Sequence, residues 1–205
     1  MIVAVLNTKG GVGKTTTALN LAVGRAIQGR DVLAVDADRQ GSLIAALGNR
    51  EGVQAVATAH YADGQILRQQ VALAKTRYED IIIDAGGRDN SALRAAMLLA
   101  DVVLIPFQPR SFDVWALDDM AALLAEMRAV QDVHALAFLA MADARGRDND
   151  EAAESVPDGM QYLDAAVGRR KSIADAAGIG RSVLEDGKDE KAVFEVRRLI
   201  KAVFR

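Results

Sequence analysis

The chain has 205 residues, 51% of them hydrophobic and 26% charged, with a mean hydropathy of +0.08. That balance suits a soluble α/β domain with a large core, and no apolar stretch approaches the ~20 residues that a bilayer-spanning helix needs. Cysteine is absent, which excludes disulfides, thiolate metal sites and iron–sulfur ligation. The net charge of −3 is uneven: residues 169–205 carry ten Lys/Arg against six Asp/Glu, whereas residues 1–168 sum to −7. A basic end on an acidic body predicts an anion-facing surface.

The first predicted element is a buried strand, Ile2–Leu6. Met1 leads straight into it, which predicts no signal peptide and a cytoplasmic protein. Asn7–Thr17 then reads NTKGGVGKTTT, and Ala18-Leu19-Asn20-Leu21-Ala22 continues into a helix predicted over Thr15–Gln28, with Ala18, Leu21, Ala22 and Ala26 on one stripe. A strand, a Gly-rich loop and a helix form the context of a phosphate-binding loop. Gly10, Gly11 and Gly13 let backbone N–H groups turn inward around an anion, and the helix aims its positive end at the same place. We therefore read Lys9, Gly10, Gly11, Val12, Gly13, Lys14, Thr15 and Thr16 as nucleotide-binding. Lys14 would reach the β/γ-phosphates and the Thr15 hydroxyl would hold Mg²⁺. The common pattern G-x-x-x-x-G-K-[ST] would place its first glycine at Thr8; here Lys9 stands before the glycine pair instead.

Strand Val32–Val35 ends at Asp36-Ala37-Asp38-Arg39-Gln40-Gly41. Its two carboxylates lie at a strand's carboxyl end, where open α/β sheets bind ligands. Either could equally cap the next helix. Strand Ile81–Ile83 ends in Asp84, placed to share Mg²⁺ with Thr15 through a water, with capping as the plainer role. The Gly86-Gly87 pair that follows leaves room for a γ-phosphate near the backbone. Strand Val102–Ile105 exits through Pro106-Phe107-Gln108-Pro109. Helix Asp113–Val130 places Leu117, Met120, Ala121, Leu124 and Met127 on one face. Strand Ala135–Ala140 follows, then an acidic stretch with Pro157, Asp143–Gly159, predicted as a loose segment. Lys191–Arg205 closes the chain as an amphipathic helix. Short apolar strands alternating with helices predict an α/β P-loop NTPase fold: a twisted, mostly parallel sheet with helices on both faces, in one domain spanning 1–205.

K-G-G-V-G-K-T-T resembles the deviant Walker A motif of the ParA/MinD family of ATPases. The likeness covers nearly the whole chain. D-A-D-R-Q-G at 36–41 is similar to the family's D-x-D-P-Q-G, with Arg39 in place of proline, and 78–84 is similar to its Walker B strand. Because the loop follows residue 1 so closely, the chain resembles the small members that lack an N-terminal DNA-reading domain. Nitrogenase iron protein has a similar loop but needs cysteines, which this chain lacks. The resemblance implies an ATP- and Mg²⁺-dependent enzyme in which Lys9 crosses a nucleotide-sandwiched homodimer to the partner protomer's ATP. It also implies that Asp38 orients the attacking water and that Asp36 supports the metal and water network. With no obvious arginine finger or switch glutamine, hydrolysis is expected to be slow and stimulated by a partner.

The same resemblance implies an ATP dimer that binds double-stranded DNA non-specifically and associates with the nucleoid. A centromere-binding or adaptor protein would discharge it, so partitioning a plasmid. Arg169, Arg170, Lys171, Arg197, Arg198 and Lys201 are the candidate DNA contacts. An aromatic content of 4% suits duplex backbone contact better than base stacking. Each arginine alone is equally an ordinary solvated charge, and Glu195 and Arg198 are spaced for an intrahelical pair. Two other readings stand beside this one: a MinD-like membrane ATPase laying Lys191–Arg205 on lipid, and a ParA-like ATPase moving a protein cargo. A final helix simply packed on the core is the plain alternative to lipid contact. The exits at Gln108 and Asp143 are candidates for touching adenine, although the asparagine or threonine frequent in such relatives is missing at Ala142 and Asp143.

Overall fold

The computed structural model describes residues 1–50, 55–87, 90–143 and 148–205, with the backbone alone of 111–115. In chain order the elements are β1 (Ile2–Val5), α1 (Lys14–Ile27), β2 (Val32–Asp36), α2 (Ser42–Gly48), β3 (Ala57–His60), α3 (Gly64–Ala74), β4 (Asp80–Asp84), α4 (Ser91–Leu99), β5 (Val102–Phe107), α5 (Ser111–Arg128), β6 (Ala135–Ala142), α6 (Asp148–Glu154), β7 (Gln161–Tyr162), β8 (Val167–Gly168), α7 (Lys171–Gly178), α8 (Val183–Asp186) and α9 (Glu190–Val203). Every strand pair among them is parallel, in the order β3-β2-β4-β1-β5-β6-β7, with β8 also paired to β6. The sheet is the α/β, two-faced arrangement that the sequence predicts.

Alternation along each central strand divides the core into two layers. Ile2, Ala4, Ile81 and Ile83 face α3, α4 and α5, whereas Val3, Val5 and Ile82 face α1, α8 and α9. Both layers are apolar, so the strands read as unbroken hydrophobic runs, as in sheets covered on both sides. Helix α1 is buried nearly all round because it lies between the sheet and the C-terminal helices. Its predicted stripe is therefore only part of what it buries. Helix α9 buries Ala192, Val193, Val196, Leu199, Ile200 and Val203 in the same layer. It is a helix packed on the core, with Phe194 the large apolar side chain that stays exposed.

The sequence reading missed β3, β7 and β8, and it treated Asp143–Gly159 as loose. That stretch contains α6, while residues 144–147 lie outside the described residues. Strand β3 reads Ala-Thr-Ala-His and alternates half-buried with exposed positions at the sheet edge, so it carries no apolar run to detect.

Polar bolts fix α2 and α8 around α1. Arg50, just beyond α2, donates to both Glu185 carboxylate oxygens at 2.9 Å and to Gly180 O at 2.9 Å. Both side chains of this pair are only 6% exposed. Ser182 Oγ donates to Asn20 Oδ1 at 2.7 Å, and Asn20 in turn donates to Thr16 O at 2.8 Å. Removing one member of a buried ion pair leaves an uncompensated charge and costs about 3–5 kcal/mol. Arg50→Ala is therefore expected to lower the melting temperature by roughly 10 °C in a chain of this size, as followed by circular dichroism. A shift of a degree or less would mean the pair is solvated in solution.

Candidate nucleotide site

The topology brings the carboxyl ends of β2, β4 and β1 side by side. Asp36 is in register with Asp84, and Asp84 with Val5 at the root of the glycine loop. The loop between β1 and α1 is held at its base by Asn7, which donates to Pro106 O at 2.9 Å and accepts from Lys9 N at 2.9 Å. Gly13 has φ 92°, a left-handed conformation that glycine adopts without strain, and it turns the chain into α1. Lys14 and Thr15 thus open a helix whose first N–H groups face the loop's hollow.

Lys14 is buried, and its ammonium donates to Lys9 O at 2.7 Å. Burial holds its pKa below the ordinary lysine value, partly opposed by the charges of Asp84 and Asp38. Thr15 Oγ1 donates to Asp84 Oδ2 at 2.6 Å. The Asp84 carboxyl is pushed up to about 7, first by burial, with Asp36 and Asp38 adding to the rise while Thr15 and Lys14 oppose it. A divalent cation would favour the ionised form of this carboxyl. The hollow fits phosphate and a hard cation: a Cβ added at Gly87 would lie 3.3 Å from both Gly10 N and Lys14 Nζ, so glycine keeps this cradle open. One carboxylate and one hydroxyl are the oxygen donors Mg²⁺ takes alongside phosphate and water.

Asp38 lies across the hollow from the loop. Its Oδ1 accepts from Gln40 N at 3.0 Å, its carbonyl accepts from His60 Nε2 at 2.7 Å, and its carboxylate sits so close to Gly86 that a Cβ there would be 3.0 Å away. Asp36 is differently employed. It is fully buried, and its two oxygens accept from the backbone N–H groups of Asp38 (3.0 Å), Leu43 (2.8 Å) and Ile44 (3.1 Å). While its charge also bears on Asp84, its carboxylate fixes the loop that carries Asp38 and caps α2. This is the capping role that the sequence left open.

The candidate DNA contacts do not form one cluster. Arg169, Arg170 and Lys171 line a cleft of about 290 Å³ beside the phosphate loop, together with Thr16, Ala140 and Met141. Arg169 donates to Gln108 Oε1 at 2.9 Å, and Gln108 donates to Gly11 O at 2.9 Å. Arg170 forms a two-pronged pair with Glu195 at 2.9 and 2.6 Å. Although burial works to raise it, the Glu195 pKa is lowered by Arg170 and by the Gly168 N–H, and hydrogen bonding to Glu195 raises that of Arg170. Glu195 therefore does not pair with Arg198, which instead reaches Asp164 at 2.7 Å. Arg197 and Lys201 lie apart from Arg169–Lys171, lining a separate groove with Arg25, Phe204 and Arg205 at the C-terminal ends of α1 and α9. His60 and the wall formed by Met141 are site features that sequence reading did not single out, because each depends on a neighbour distant in the chain, whereas Gln108 is one of the two strand exits that the sequence names.

A parallel sheet with a glycine loop after β1, a lysine and threonine opening α1, and an acid ending β4 defines a P-loop nucleotide-binding domain. The chain belongs to the CobQ/CobB/MinD/ParA nucleotide binding domain family, whose model matches residues 3–183. It is 28% identical over 206 residues to the maintenance of carboxysome distribution protein A of Halothiobacillus neapolitanus, covering 98% of this chain and 94% of that protein. It is also 28% identical to the chromosome-partitioning ATPase Soj of Thermus thermophilus, over 98% of this chain and 94% of the relative. Among solved structures, the septum site-determining protein MinD of Pyrococcus horikoshii, complexed with Mg-ADP, superposes with a TM-score of 0.76 at 18% identity, covering 98% and 95% of the two chains.

Proposed function

We propose that this chain is a slow Mg²⁺-dependent ATPase that pairs on ATP, binds duplex DNA as the pair, and is discharged by a partner protein, so positioning a plasmid on the nucleoid. The observation that carries the reading is the buried Lys14 beside the Asp84–Thr15 pair, with a second lysine, Lys9, at the loop mouth. Lys14, Thr15 and the loop N–H groups would hold the phosphates. Bound Mg²⁺, held by Thr15 and Asp84, would neutralise charge on the β- and γ-phosphates. Asp38 would orient water from the far side of the hollow. This set includes no arginine finger and no glutamine aimed at the attacking water, which supports slow turnover.

The groove lined by Arg197, Lys201 and Arg205 is the better candidate for duplex phosphates, because Arg170 and Arg198 already have carboxylate partners. Pairing two chains doubles the phosphate contacts and so makes DNA affinity depend steeply on ATP. Reversing charge with Arg197→Glu and Lys201→Glu is expected to abolish ATP-dependent retention on plasmid DNA and to flatten its salt dependence. Retention with an unchanged salt slope would move the DNA face elsewhere. The same switch fits a protein cargo, a reading supported by the relative named for carboxysome distribution. The buried apolar side of α9 weighs against the lipid reading, and no helix among the described residues is long and apolar enough to cross a membrane.

A further inference from the structure

The cleft beside the phosphate loop is bounded by the apolar side chains of Ala140, Met141, Val167 and Ile173, with Arg169 and Lys171 among its polar groups. Met141 has φ 54°, the one non-glycine residue among those described with positive φ. Asparagine, aspartate and glycine are the residues that ordinarily occupy this conformation, and a methionine there is held by its surroundings. Two features hold it. The β6–β8 register shifts between Ala140 and Ala142. The Met141 Cε also lies over the loop, 3.4 Å from the position a Cβ would take on Gly13.

The cleft thus presents a thioether where a short amide would fit the backbone better. Among the described residues that line it none is Asp, Glu, Asn or Gln, and its neutral polar side chains are the Thr16 and Thr17 hydroxyls, which donate or accept and so suit either purine. The charged side chains are all donors, and arginine and lysine donors match the O6 and N7 acceptors of guanine as well as the N7 of adenine. Sites that hydrogen-bond a distinguishing group reject its analogue by about 10⁴-fold or more, whereas apolar contact discriminates by only ~10–200-fold.

Resting on the nucleotide-binding reading above, we propose that this cleft is a weakly selective purine site that takes GTP alongside ATP, with Met141 as the residue that leaves it unselective. Displacement of a fluorescent ADP analogue by ATP and by GTP tests this. GTP is expected to bind within roughly 100-fold of ATP. ATP displacing the probe while GTP binds more than about 10³-fold weaker would overturn the proposal and leave the nucleotide reading intact. Failure of every nucleotide would overturn both. Met141→Asn suits the left-handed backbone and adds an amide acceptor. It is expected to raise the ATP:GTP preference about tenfold or more with an unchanged melting temperature, and an unmoved preference in that folded variant would remove Met141 from the specificity assignment.

Discussion

Lys14→Ala is expected to bind Mg·ATP at least a hundredfold more weakly than the unsubstituted chain while melting no lower. The ammonium is buried and donates to the Lys9 carbonyl at 2.7 Å. Its lowered pKa reports that the folded protein disfavours this charge, burial outweighing the attraction of Asp84 and Asp38. A buried ammonium at the glycine loop beside Asp84 and Asp38 suits an anionic ligand, so its removal is expected to impair the complex more than the apo fold. Truncating one partner of a desolvated charge pair costs about 2–5 kcal/mol, and each 1.4 kcal/mol is tenfold in affinity. Titration calorimetry beside a thermal melt separates the two effects. Unchanged affinity would remove the phosphate role, and a much lower melting temperature would make the residue structural.

Asp38→Ala is expected to keep ATP affinity within a few-fold and lose hydrolysis by about 10²–10⁴, the range a positioned proton-accepting group contributes. The split follows from where the residue stands. Lys14, Thr15 and the glycine N–H groups that would hold phosphates belong to the loop after β1, whereas Asp38 comes from the loop after β2 and approaches from the Gly86 side. Its backbone is also fixed through Asp36 Oδ1 to Asp38 N and through His60 to Asp38 O, so truncating the side chain removes only the Gln40 N bond to Oδ1 from the loop. The variant should accumulate as an ATP complex on DNA. Phosphate release at the unsubstituted rate would transfer the water-orienting role to another group.

How legible each part was from sequence follows from how local its cause is. The phosphate loop could be read because its strand, glycines, lysine and helix are contiguous, and Asp84 because an apolar strand ends in it. The placement of Asp36, Asp84 and the loop side by side follows from a parallel sheet whose strand ends share one edge. What could not be read depends on partners far apart in the chain. Glu195 has Arg198 at helical spacing but pairs with Arg170, 25 residues away. Arg50 meets Glu185 across 135 residues. The basic residues after β8 look like one cationic surface in sequence, yet the fold turns Arg169, Arg170 and Lys171 toward the cleft at the phosphate loop and Arg197 and Lys201 toward a groove at the ends of α1 and α9. Asp36 shows the same limit at short range: its backbone bonds to Leu43 and Ile44 require the turn that only the folded chain makes.

We propose that ATP occupancy becomes pairing through Lys9. Light scattering on the chain saturated with Mg²⁺ and a slowly hydrolysed ATP analogue tests it most directly. The expected result is the mass of two 21.8 kDa chains, with a single-chain mass when ADP replaces the analogue and when Lys9→Ala is loaded to the same occupancy. A single-chain mass for the loaded, unsubstituted protein, or a pair that forms equally well with Lys9→Ala, would contradict it.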